Sequence, residues 1–223
     1  MSPFPVQMED HWRPEPGEDQ DRARLMWFIR VGDYPAVAAM AEVAWTRLAG
    51  LHGLDLVPRE WLHVTTLITG FADEITGDQV EDMTNHARRV LTGLVRPRIM
   101  LGRVLYHPRA VMLDAGPAGT LEPVLRAVQD ATVAATGREG TLHRAPWMPH
   151  VTLAYGSAMR PAGPVIDALG KSVPGGEVAI SAISLVSQKP KQMFKWDLIA
   201  TVPVGVGAPG VSVDDRRDGA CRG

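Results

Sequence analysis

The sequence predicts an α+β chain folded as two similar lobes, each an antiparallel-rich sheet with helices outside and a cleft between the sheets. Three observations carry this. The 223 residues, 45% of them hydrophobic, suffice for a sizeable core. Apolar spacing alternates between short β-branched runs and helical stretches along the whole chain. The second half then repeats the order of the first, at a scale of two lobes rather than of a short repeat.

The elements follow in order. Residues 1–24 are proline-rich and acidic and read as a flexible lead-in. Leu25–Val31 is an apolar run suited to a buried strand. Tyr34–Gly50 carries Val37, Met40, Ala41, Ala44 and Leu48 at helical spacing, with Gly50 as its stop. Leu54–Val57 reads as a short strand and Leu62–Phe71 as a longer β-branched one. Asp78–Thr92 is a helix closed by Gly93. In the second half, Arg98–Tyr106 and Ala110–Ala115 pair around a Tyr-His-Pro-Arg turn, and Leu121–Thr136 is a helix ending at Gly137. A polar loop spans 138–146. His150–Tyr155 is a strand, Val165–Lys171 a short helix, and Glu177–Ser187 and Met193–Val202 two closing strands. The folded region is thus 25–203, with lobes at about 25–93 and 94–203 that can exchange strands, and 204–223 is a flexible tail.

Composition excludes several classes. No apolar run approaches the roughly 20 residues of a membrane helix, and the acidic N-terminus is unlike a secretory signal. A single cysteine, Cys221, rules out a disulfide framework and a cysteine-rich metal site. The net charge of −2 argues against gripping long duplex nucleic acid. That charge is uneven: residues 25–93 hold five basic and nine acidic side chains, residues 94–203 twelve and seven. The later half is therefore the expected source of positive potential for an anion. A soluble, cytoplasmic monomer is the expectation.

The chemistry sits in a repeated motif. His63-Val64-Thr65 and His150-Val151-Thr152 each open an apolar strand, each strand ends on glycine (Gly70, Gly156), and a tryptophan precedes each (Trp61, Trp147). One His-x-Thr among seven histidines carries little information; the same motif in matching places of two halves carries much more. Residues i and i+2 of a strand share a face, so each motif offers an imidazole and a hydroxyl to one cleft. Two histidines near their ordinary pKa of about 6.5 supply a proton acceptor and a proton donor. Two hydroxyls can donate to non-bridging phosphate oxygens. This suits metal-free cleavage of a phosphodiester, and spacing alone leaves open which histidine is acid and which is base. A pair of strand histidines satisfied by local hydrogen bonds is the bland alternative.

These residues resemble the two-histidine phosphoesterase superfamily, which includes 2′-5′ RNA ligase-like proteins. The resemblance covers about 25–203 and is strongest at Leu62–Thr65 and Pro149–Gly156, with Ile183–Ser187 and Phe194–Trp196 similar to the family's closing strands. It implies a bilobal fold and a catalytic tetrad of His63, Thr65, His150 and Thr152. It also implies no cofactor or metal, and substrates with 2′,3′-cyclic phosphate or 2′-5′ linkages at RNA ends or in small nucleotides. Cyclic phosphodiesterase activity is expected, with reversible 2′-5′ ligation open; a nucleotide- or RNA-end-binding module without turnover is the competing expectation. Arg144 is a candidate phosphate contact. Trp61, Trp147, Phe71 and Tyr106 offer faces for a base, although packing is the commoner use of such rings. Tyr155, by strict alternation, falls opposite Thr152 and reads as packing. The glycine-rich run at 205–210 lacks the helix that a dinucleotide site needs and is set aside.

Overall fold

The computed structural model describes residues 4–13, 19–142, 146–190 and 194–205. Two antiparallel sheets form its centre. The first is built from β2 (Arg24–Arg30), β4 (His63–Phe71), β10 (Ala182–Gln188) and β11 (Asp197–Pro203), in the order β11-β10-β2-β4. The second is built from β3 (Leu54–Leu56), β5 (Arg98–His107), β6 (Ala110–Asp114), β7 (His150–Gly156) and β9 (Ser172–Ala179), in the order β3-β7-β6-β5-β9. The expected α+β, two-lobed class with antiparallel sheets is what the chain adopts.

The lobes do not follow the halves of the sequence. Helix α1 (Pro35–Leu48) belongs to the first half, yet it packs on β9 and on α4 (Gly163–Leu169) of the second sheet. Strand β3 also crosses, pairing with β7. In return α3 (Glu122–Thr136) packs against α2 (Gly77–Leu91) and β4, and β10 and β11 complete the first sheet. The expected boundary near residue 93 is therefore replaced by an interlaced chain. The sequence showed periodicity within each element, whereas the partner of an amphipathic face is set by tertiary packing.

Two further expectations are corrected. Glu177–Ser187 is not one strand: the chain turns at Ile180–Ser181, so β9 lies in the second sheet and β10 in the first. Within the lead-in, Gln7–Met8 forms β1 and pairs with β8 (Arg160–Pro161), and Met8 is fully buried. The segment continues across the second sheet, where the backbone N–H of His11 donates to the Gly156 carbonyl at 2.8 Å. Gly156 is required there, because a Cβ at that position would collide with the Glu9 carbonyl oxygen.

Local chemistry explains the helices. Thr76 and Gln79 form a capping box at the start of α2. Gly137, at φ 70°, ends α3 in the left-handed conformation. Each sheet buries one face against helices, Trp27 and Ile29 in the first and Val151 and Leu153 in the second. The other faces carry the paired motifs.

Candidate active site

Both histidines stand at the first position of their strands, and each is held in the same way. The Nδ1–H of His63 donates to the Trp61 carbonyl at 2.7 Å, and that of His150 to the Met148 carbonyl at 2.7 Å. With Nδ1–H bonded to a carbonyl, the tautomer is fixed and each neutral ring carries its lone pair on Nε2. A short 3-10 turn, Arg59–Trp61, presents the carbonyl to His63. It packs against the end of β2 at Gly32, where a Cβ would collide with the Arg59 carbonyl.

The strands share a second device. Opposite β2, Thr65 pairs with Phe28 and Leu67 with Trp27, so Thr66 is an extra residue. Opposite β6, Thr152 pairs with Met112 and Ala154 with Val111, so Leu153 is extra in the same place. A bulge shifts the alternation by one. His63, Thr65 and Ile68 therefore share one face, as do His150, Thr152 and Tyr155. The reading of Tyr155 as lying opposite Thr152 is corrected by this bulge. Burial pushes the pKa of its phenol above the ordinary value, and a hydrogen bond with the Thr152 hydroxyl opposes that rise. Strict two-residue periodicity could not have found it.

The loop that leads into β7 ties the sheets together. Thr141 exchanges backbone hydrogen bonds with Ile68 at 2.7 and 2.9 Å, and Trp147 Nε1–H donates to the Thr65 carbonyl at 3.1 Å. Trp147 thus bonds the first motif's backbone from just ahead of the second motif. Trp61 packs edge-on to Trp196, with ring centres 4.3 Å apart. Arg144 lies outside the described residues. Of the other rings considered, Phe71 is covered by the Arg22 guanidinium at 3.7 Å, and Tyr106 meets Phe4 edge-on at 5.5 Å.

Residues the motif search did not single out enclose His63. Phe28 stacks on the imidazole at 3.9 Å, and Trp196 meets it edge-on at 5.0 Å. The ring keeps some surface to the cleft, but this aromatic enclosure removes water from it. Burial pushes its pKa down to about 4, the Trp61 carbonyl opposes that, and the charge of His150 adds to the fall. That last effect places the two imidazoles within each other's field. On the other side, Tyr155 is stacked by His11 at 4.2 Å, and Phe194 stands 6.1 Å away. The cross-strand register that opposes Phe28 to Thr65 is what a single strand's sequence could not reveal. Among the described residues, no three His, Cys, Asp or Glu side chains gather as a metal site would require.

The model of the 2′-5′ RNA ligase superfamily matches residues 35–192. The chain belongs to this superfamily. No curated protein matches it, but solved structures do. TT0787 of Thermus thermophilus superposes with a TM-score of 0.59 at 19% identity, over 81% of this chain and 97% of that one. LigT of E. coli, solved with ATP, gives 0.57 at 14% identity, over 83% and 100%. The MHV ns2 PDE domain gives 0.55 at 12%, over 75% and 99%. At these identities the likeness is one of fold.

Proposed function

We propose that the protein is a metal-independent phosphodiesterase that opens 2′,3′-cyclic phosphates at RNA ends or in small nucleotides. The observation that supports this most is the duplicated placement of His63 and His150: same strand position, same Nδ1 anchor and same bulge after the motif. Membership of the superfamily supports this kind of activity, and LigT has been crystallised with ATP, 3′-AMP and NADP+.

The depressed pKa of His63 supports a role for it as the base, with His150 as the acid. Neutral at physiological pH, with Nδ1–H on a carbonyl, it presents the Nε2 lone pair as the base. Water attacks phosphorus as His63 takes its proton; the bond from phosphorus to one ribose oxygen breaks, and protonated His150 gives that oxygen a proton. Thr65 and Thr152 donate to the non-bridging oxygens, whose charge redistributes in the transition state. Proton exchange with solvent resets both rings. With an RNA 5′-hydroxyl in place of water, the same groups would open the ring at its 3′ oxygen: the hydroxyl gives its proton to His63, the phosphorus–O3′ bond breaks, His150 protonates that oxygen, and a 2′-5′ linkage forms.

The test is turnover of 2′,3′-cyclic nucleotides with a chelator present. His63→Ala and His150→Ala should each lose about 10²–10⁴-fold in kcat. Near-normal activity in either variant, or loss of wild-type activity to the chelator, would overturn the proposal. Tight binding of nucleotide by wild type without turnover would instead favour a binding module.

A further inference from the structure

The cleft face of the first sheet continues well beyond the motif. In register, Arg30 opposes His63, Phe28 opposes Thr65, Met26 opposes Ile68 and Arg24 opposes Phe71, and directly opposed residues share a face. At the Arg24–Phe71 end this face meets a cavity of about 530 Å³. Ile68, Phe71 and Arg24 line it from the sheet, and Arg138, Gly140 and Thr141 from the loop after α3. The bonds between Thr141 and Ile68 hold that loop in place. Glu74 and Glu139 also reach the wall, and the Glu74 carboxylate is taken up by Arg22 at 2.8 Å and Arg138 at 2.7 Å.

The corresponding end of the second sheet is closed. Tyr155 holds the position that Ile68 holds in the first, and the N-terminal segment lies over it. His11 stacks on its ring, and Trp12 Nε1–H reaches the Asp55 carboxylate at 2.6 Å. The two motifs are alike, but their surroundings are not. Ile68 follows Thr65 on the motif face and is also part of the cavity wall, so the cavity begins where that face continues towards Arg24 and Arg138.

The chemistry of that room is specific. Guanidinium groups match phosphate oxygens in charge and in their fork of donors. Ile68, and the part of Phe71 that Arg22 leaves uncovered, add apolar surface for a sugar or base edge. The volume falls in the roughly 300–1,000 Å³ range of small-ligand sites. We infer that this cavity is the subsite for the nucleotide on the 5′ side of the one that carries the cyclic phosphate, so the preferred substrate carries at least one further nucleotide. The inference rests on the phosphodiesterase reading above and deepens it by stating which end of the cleft the rest of the substrate occupies.

The test compares a 2′,3′-cyclic mononucleotide with a dinucleotide ending in the same group. The dinucleotide should show at least about tenfold higher kcat/KM, equivalent to roughly 1.4 kcal/mol. Arg138→Ala, at a side chain 59% exposed, should bring the ratio near one. Ile68→Trp, which puts a larger ring into the cavity from its wall, should do the same. Equal kcat/KM in wild type, or a ratio that survives both substitutions, overturns the cavity assignment and leaves the phosphodiesterase reading standing. Absence of turnover on both substrates removes that reading instead. Equilibrium binding of a dinucleotide 3′-phosphate against a mononucleotide 3′-phosphate then decides the cavity. Tighter binding of the longer ligand, lost in Arg138→Ala, supports it, and equal binding overturns it.

Discussion

A histidine packed between Phe28 and Trp196 titrates far from its ordinary range, and this has two measurable consequences. In catalysis, the base stays unprotonated well below neutrality, so the acidic limb of kcat/KM should fall near pH 4 rather than near 6.5. Phe28→Ala, which readmits water to the ring, should move that limb upward by a measurable fraction of a unit or more. In stability, the sign follows from proton binding: between about 4 and 6.5 the unfolded chain protonates His63 while the folded protein does not. Stability is therefore full above about pH 6.5 and declines as pH falls towards 4. Urea midpoints measured across this range should show that slope, and His63→Gln should flatten it. The four motif residues were legible from sequence because each is a local pattern. Phe28 was not, since only the register of β2 against β4 brings it over the imidazole.

At the scale of elements, the two bulges do what a regular strand cannot. By inserting Thr66 and Leu153, they bring Ile68 and Tyr155 onto the catalytic face. The strands themselves were readable within one or two residues, and the bulges were not, because pairing defines them. The loop before β7 was readable only as polar, yet its Trp147 bonds the backbone of the facing motif. Trp147→Phe keeps an aromatic ring, though a smaller one, and deletes the hydrogen bond, with an expected cost of at least about 0.5–1.5 kcal/mol. Denaturant midpoints would measure the cost, and kcat should fall with it if the tether aligns the two motifs. At Gly156, alanine should push the N-terminal segment off Tyr155, with a loss of about 1–3 kcal/mol. Limited proteolysis should then cut within residues 4–13 of the variant and leave them intact in the wild type. An unchanged cleavage pattern would show that the segment tolerates the added methyl.

For the whole molecule, the expected fold class was sound, and the exchange between lobes goes beyond the strands that the expected division allowed for: helices cross as well. Amphipathic spacing identifies a helix but not the sheet it covers, and α1 and α3 each cover the sheet of the other half. The same exchange redistributes charge. The basic excess of residues 94–203 pointed to the second lobe, but Arg138 comes to line a cavity on the first sheet, beside Arg24 from the lead-in. Two sheets threaded in this way should unfold together. Tryptophan fluorescence and far-UV circular dichroism should report one coincident transition in denaturant, whereas separable lobes would give two.

The threading also sets an order of assembly during synthesis. Every strand of the second sheet has been made by residue 179, but the first waits for β10 and β11, which end at residue 203. Until they leave the ribosome, β2 has β4 on one side and an open edge on the other, a site at which strands from other chains can pair. The half that carries His63 is thus the last to close and the most exposed to mispairing in a newborn chain.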